Sequence, residues 1–254
     1  MKTIRSTGAV LLLVSSLVIG LAGAAAASNT DPTKAGAAWL TALFATGSAN
    51  DAQAALPLVA PNSPAYAYTV FQIGGLKALA GSGAGSTPTA VKPKGKNVTL
   101  CQTALNGSTC VTVGRFMLDK KGRVRTFSYF YGGPPTPLGP PVLGTGQTGS
   151  GFGVNFQLAS YFRARDGLIV ILNVTGAPDG ARTIQAYQAT YQPPTGPPVQ
   201  AATSRGIASD IQPNVAATLE LQFAGNPTPG GTITIPMMSG QPDYTNGSAK
   251  LQIP

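Results

Sequence analysis

Histidine is absent from this chain. That removes imidazole general bases, imidazole metal ligands and every nucleophilic triad built on a His. Acids are nearly as scarce: Asp and Glu together number 8, and Glu220 is the sole Glu. Asp31, Asp51 and Asp119 lie far apart, at positions that read as helix starts or turns, where capping accounts for them. Paired carboxylates for acid–base chemistry are therefore not evident, and neither an S-x-x-K nor a G-x-S-x-G nucleophile motif occurs. There are only two Cys. Eight residues separate them, too many for a redox CxxC, and two thiols without a His make a poor zinc site. The expectation is no catalytic residue, no metal and no cofactor. Charged residues are also few, 10% of the 254 positions against about 25% in an average soluble domain.

What is present is apolar: hydrophobic residues make up 43%, ample for a packed core. The longest apolar run begins the chain. Lys2 and Arg5 precede an apolar stretch from Ala9 to Leu21, and Ala25-Ala26-Ala27 offers the small residues of a signal-peptidase site. The stretch falls short of the ~20 residues that span a bilayer, so residues 1–27 read as a signal peptide cleaved after Ala27. No membrane span is expected after cleavage, and the mature protein is expected to be secreted, extracellular or associated with the cell wall.

That compartment suits a disulfide. Cys101 and Cys110 flank Asn106-Gly107, a hairpin signal. A two-residue Asn-Gly turn would put the two Cys out of register. A four-residue turn over Ala104 to Gly107 pairs Thr103 with Ser108 and sets Cys101 opposite Cys110. A cross-strand disulfide with the longer turn is therefore expected.

Residues 28–133 read as mixed helix and strand. Asp31 with Pro32, and Ser63 with Pro64, are helix-start signals. Trp39, Leu40, Leu43 and Phe44 follow helical spacing in the first helix, and Tyr66, Val70, Ile73, Leu76, Leu79 and Ala80 in the second, which Gly81-Ser82-Gly83 ends. Strands are expected over 97–103, 108–118 and 123–131, with helices on one sheet face. Residues 134–151 read as a linker, stiff where Pro-rich and flexible where Gly-rich. Gly144, Gly146 and Gly149 fit G-x-G-x-x-G, but no strand-to-helix turn surrounds them. Residues 152–254 read as all-β: seven short strands separated by Gly/Pro turns argue for an immunoglobulin-like sandwich. Phe152, Val154, Phe156 and Leu158 alternate with Asn155, Gln157 and Ala159, and Val215, Ala217, Leu219, Leu221 and Phe223 with Ala216, Thr218, Glu220 and Gln222.

The net charge of +9 is unevenly spread. The part up to Pro134 holds its excess of Lys and Arg, while the part after it balances. Lys92, Lys94, Lys96, Lys120, Lys121, Arg123 and Arg125 are the candidate anion-binding set, for a wall polymer, acidic polysaccharide or lipid headgroup; the plainer account is a solvated face that keeps a low-charge protein in solution. Arg115 interrupts the apolar row Val111, Val113, Met117, Val124 and Phe130, and with Tyr66 and Tyr68 it forms the candidate pocket set. Gly114 beside it is the mark of a bulge that would turn Arg115 to solvent instead.

Ser63-Pro64-Ala65-Tyr66-Ala67-Tyr68 opening a helix, the Cys101/Cys110 hairpin and Gly122-Arg123-Val124-Arg125-Thr126-Phe127 resemble the nuclear-transport-factor-two-like cone domain. Asp210-Ile211-Gln212-Pro213-Asn214 leading into Leu219-Glu220-Leu221-Gln222-Phe223 resembles extracellular Ig-like domains of bacterial envelope proteins. Together with the Ala/Gly/Pro-rich export signal, the layout resembles secreted two-module proteins of high-GC Gram-positive bacteria. Both domain types host many functions. The resemblance implies architecture, and the missing His speaks against the Asp/His chemistry of catalytic cones. The functional expectation is a secreted or envelope-associated non-enzymatic binding protein, taking an anionic polymer or small ligand through the basic first module. Another envelope protein would contact the sandwich, and nucleic acid is not expected as a partner. The competing readings are a His-independent enzyme with a pocket in the first module and a purely structural wall component.

Overall fold

A computed structural model describes residues 31–83, 86–104, 107–130, 140–164, 166–207, 210–225, 227–239 and 245–254. The expected signal peptide and the Pro-rich start of the expected linker, through residue 139, lie outside them.

The chain opens with α1 (Pro32–Phe44). Asp31 Oδ1 accepts the backbone N–H groups of Thr33 at 2.9 Å and Lys34 at 3.3 Å, satisfying two donors that the first turn leaves without helical partners. A short helix, α2 (Ala49–Ala52), runs into a 3-10 turn, Gln53–Leu58. Ser63 Oγ then accepts the Tyr66 N–H at 3.2 Å and caps α3 (Pro64–Gly81). Four antiparallel strands follow: β1 (Thr89–Lys94), β2 (Asn97–Ala104), β3 (Gly107–Leu118) and β4 (Val124–Phe130), paired in that order. The last three match the expected strands to within a residue or two; β1, rich in Lys and containing Pro93, carries no apolar alternation that would have announced it. Trp39, Leu40 and Leu43 from α1 pack on Val98, Val113, Phe116 and Val124 from the sheet.

Cys101 and Cys110 are direct cross-strand partners and form a disulfide. Thr103 pairs with Ser108 as expected, but the ladder runs one step further, to Ala104 and Gly107. Gly107 is thus a strand residue, and the connection spans only 105–106, which lie outside the described residues. The register survives because the added pair lengthens the ladder without shifting it.

The alternation expected along β3 breaks at Gly114. Between the pairs Gly114–Ser128 and Met117–Thr126, two residues of β3 oppose one of β4. Arg115 sits in this bulge with φ +52°, and every position beyond it changes face. Phe116 takes the buried place, while Met117, expected in the apolar row, is 61% exposed.

The remaining strands are β5 (Val142–Leu143), β6 (Thr148–Gly151), β7 (Val154–Arg163), β8 (Gly167–Thr175), β9 (Arg182–Ile184), β10 (Thr190–Gln192), β11 (Val199–Arg205), β12 (Asp210–Ile211), β13 (Ala216–Ala224), β14 (Thr232–Ser239) and β15 (Asn246–Gln252). All their pairings are antiparallel, along the path β12-β9-β14-β10-β11-β13-β8-β7-β5, with β15 on β14 and β6 on β7. Phe156, Leu172, Leu219, Leu221 and Phe223 share one core with Tyr191, Ile233, Ile235 and Leu251. A 3-10 turn, Ala186–Gln188, separates β9 from β10.

The Gly-rich end of the expected linker is corrected: residues 142–143 and 148–151 are strands paired to β7. Two of its glycines serve close packing. A Cβ on Gly144 would lie 1.9 Å from the Leu158 carbonyl oxygen, and one on Gly149 2.2 Å from that of Lys250. No side chain fits at those two places, so Gly144 and Gly149 mark close backbone approach, whereas Gly146 between them stands in open space with φ +102°.

Helix α3 is the element that joins the two regions. Tyr68 and Ile73 belong to the helix–sheet core. Its other flank lies on the outer face of β7, β8 and β13. There the Phe71 and Phe162 rings are 5.4 Å apart, a Cβ on Gly74 would meet Ile171 Cγ2 at 2.8 Å, and one on Gly81 would meet the Gly206 carbonyl at 2.6 Å. The helix therefore does more than cover its own sheet, as a helix apolar all round must. Ile171 and Glu220, on the outward side of their strands, are buried by it.

Candidate functional site

At the end of α1, Phe44 and the helix–sheet core stop short of filling the first sheet. Thr89 of β1 pairs with Gln102 of β2, and Leu100 of β2 with Val111 of β3. These four, with Phe44, Tyr68 and Tyr129, wall a cavity of about 230 Å³. Leu100 and Gln102 lie on the same side of β2 because they are two residues apart; Cys101 between them points the other way. The disulfide therefore ties β2 to β3 directly behind the cavity wall.

An aromatic cluster supports that wall from below. The Tyr68 ring is 5.1 Å from Phe127 and 5.5 Å from Tyr129, and Phe127 is 4.9 Å from Trp39. The orientations are tilted or edge-on, as ring quadrupoles favour. Trp39 Nε1–H donates to Thr69 Oγ1 at 2.9 Å, and the Thr69 hydroxyl donates to the Ala65 carbonyl at 2.8 Å, fixing α1 against α3. The Tyr129 hydroxyl oxygen is buried.

Phe44, Thr89 and Gln102 also line a second chamber of about 180 Å³, which reaches the joint between the two regions. Gln72 and Gly75 of α3 form one side and Arg205 and Glu220 the other. Arg205 Nη1 is 3.5 Å from Glu220 Oε1; the Arg205 side chain is 51% exposed and that of Glu220 12%. Burial pushes the Glu220 carboxyl above the ordinary carboxylate range, and Arg205 pulls it back only in part. Gly75 leaves room for the carboxylate: a Cβ there would stand 3.2 Å from Glu220 Oε2, a tight contact.

Of the candidate pocket set, the structure brings only Tyr68 to the cavity. Tyr66 packs half-buried on the same core without reaching the wall, and Arg115 is exposed at its bulge. The basic set gathers differently. Lys94 pairs with Asn97, Asn97 with Gly114, and β3 then runs on to the turn at 119–122. Both Lys-bearing turns therefore project from one end of the sheet, opposite the cavity end. Lys92, Lys94, Lys96, Lys120, Lys121 and Arg125 are exposed. Arg123 is not an open cation: its guanidinium holds Asp119 Oδ2 at 2.7 Å. Desolvation is the largest single influence and raises the Asp119 carboxyl, but the hydrogen bonds from Arg123 and from the Lys121 N–H, with the Arg123 charge, together outweigh it and leave it below its ordinary value.

Sequence reasoning missed Phe44, Thr89, Gln102, Tyr129, Arg205 and Glu220 as site residues. A sole Glu on the outward side of an alternating strand was the one visible signal, and nothing local says that a distant helix covers it. Among the described residues no three His, Cys, Asp or Glu side chains come together as metal ligands, and no helix is long and apolar enough to cross a membrane. No protein-family model, no curated protein and no solved structure matches the chain.

Proposed function

We propose that this is a secreted or envelope-associated binding protein whose cone-like first module holds the apolar group of a small ligand, with an Ig-like second module as its supporting body. The observation that carries the reading is the cavity of about 230 Å³ walled mainly by Phe44, Tyr68, Leu100, Val111 and Tyr129, with Thr89 and Gln102 as its polar edge. An apolar cavity of about 150 Å³ accepts a benzene-sized guest, so this one suits a single ring or a short branched chain. Binding is favoured over turnover because the chain has no His and, among the described residues, the one buried carboxylate, Glu220, stands beside an Arg with no second acid. The Trp39 ring, 6.1 Å from Tyr68, provides a reporter. Titration with toluene is expected to change Trp39 fluorescence saturably, and Val111→Phe, which fills the cavity, is expected to remove the response while circular dichroism stays unchanged. A response that survives Val111→Phe would place the ligand elsewhere.

A second reading rests on the common end of the sheet shared by the two Lys-bearing turns. It is an anionic wall or surface polymer held by Lys92, Lys94, Lys96, Lys120, Lys121 and Arg125, through charge that salt screens. Retention on an immobilised polyanion is expected to fall with added salt and with Lys120→Gln/Lys121→Gln. Retention indifferent to both removes this reading.

A further inference from the structure

The polar chamber beside the cavity specifies the head of the ligand. Resting on the cavity reading above, we infer that the ligand is a small zwitterion of the amino-acid class. Its apolar side group would enter the space between Tyr68, Leu100 and Val111, its ammonium would meet Glu220, and its carboxylate would meet Arg205.

Three observations support this class. First, the two spaces adjoin: Phe44, Thr89 and Gln102 belong to the walls of both. Second, the chamber offers one acidic and one basic side chain next to each other, with the neutral hydrogen-bonding groups of Gln72, Thr89 and Gln102 around them. An anion alone would face the Glu220 carboxylate, and a cation alone would face the Arg205 guanidinium; a head carrying both charges satisfies both. Third, the pair is loose. A direct charge-assisted bond closes to about 2.7–2.9 Å, whereas Arg205 and Glu220 stand 3.5 Å apart, so each retains hydrogen-bonding capacity toward a third group. A buried carboxylate with so weak a partner costs stability unless something else meets it, and an ammonium would supply that.

The site is composite. The cavity belongs to the helix–sheet region, while Arg205 and Glu220 come from β11 and β13 of the strand-rich region, held in place by α3. Neither region alone would present both ends of the ligand.

The test compares four probes on the full secreted chain by calorimetry and Trp39 fluorescence: L-phenylalanine, 3-phenylpropionate, phenethylamine and toluene. L-phenylalanine is expected to bind at least about tenfold more tightly than either singly charged analogue. Glu220→Gln is expected to erase its advantage over 3-phenylpropionate, and Arg205→Gln its advantage over phenethylamine. Toluene binding is expected to be unchanged by both variants and lost in Val111→Phe. If toluene binds and L-phenylalanine gains nothing over the analogues, or keeps its gain in both charge variants, the zwitterion inference fails while the cavity reading stands. If no probe responds to Val111→Phe, the cavity reading fails and takes the inference with it.

Discussion

In the strand-rich region, Phe156, Leu172, Leu219, Phe223, Ile233 and Tyr191 are all within 2% of full burial and meet from two facing layers. In the helix–sheet region the inner face of the sheet is apolar at Val98, Leu100 and Val113, but its end at Thr89 and Gln102 borders empty space. The difference lies in what covers each sheet. Two twisted layers of strands interdigitate along their whole length. Helices are rods laid on a sheet that bulges bend; α1 and α3 make contact at the middle, and the corner beyond Phe44 is left unfilled. One region is closed by packing, whereas the other keeps a hollow and is stapled by a disulfide beside it.

Three variants would break or sharpen that contrast. The largest effect is expected for Leu172→Ala, which should cost about 3 kcal/mol in urea unfolding, as large-to-small changes in filled cores do. Val111→Ala should cost about 1 kcal/mol or less, because the Val111 side chain already borders a void and forfeits few contacts. Equal costs would mean that the cavity wall is packed like the sandwich. Next comes Cys101→Ser/Cys110→Ser, expected to cost about 2–3 kcal/mol by releasing a short loop. The loss should be read in Trp39 fluorescence, since Trp39 lies in the stapled region; an unchanged midpoint would show that the staple is redundant.

The smallest effect separates the Asp119–Arg123 and Glu220–Arg205 pairs by pH. Asp119 is held below its ordinary value, so its contribution is complete above the ordinary carboxylate range and disappears as pH falls through the lowered value. Asp119→Asn should flatten stability on the acid side. Glu220 is held above its ordinary value, so the folded state binds its proton more firmly than the unfolded one, and stability declines as pH rises from the ordinary range through the raised value. Glu220→Gln should remove that decline and equal or exceed the parent at neutral pH. Thermal midpoints measured across pH 3 to about 8 on both variants check the opposite signs; slopes of the same sign would contradict them.

Much of this fold is legible locally. The Asp31 and Ser63 caps, the Cys101–Cys110 register and the alternation of Leu219, Leu221 and Phe223 all depend on neighbours a few residues away. The bulge at Gly114 shows the limit. One inserted residue reverses every later position, so Phe116 and Met117 exchange the places that their sequence pattern suggests. Gly144 and Gly149 show another: glycine marks flexibility or close approach alike, and only the strand beside it tells which.

The amino-acid order by itself determined the poverty in acid–base groups, the division into a helix–sheet part and a strand part, and the pairing of the two cysteines, because composition and short-range spacing carry those facts. The tertiary structure decided where the hollow lies and what faces it. Glu220 sits on the outward side of its strand and reads as wetted surface; it becomes a buried carboxylate because α3, some 140 residues earlier in the chain, lays Gly75 over it. Docking of one element on another depends on the fit of two surfaces, and no window along a single strand contains both.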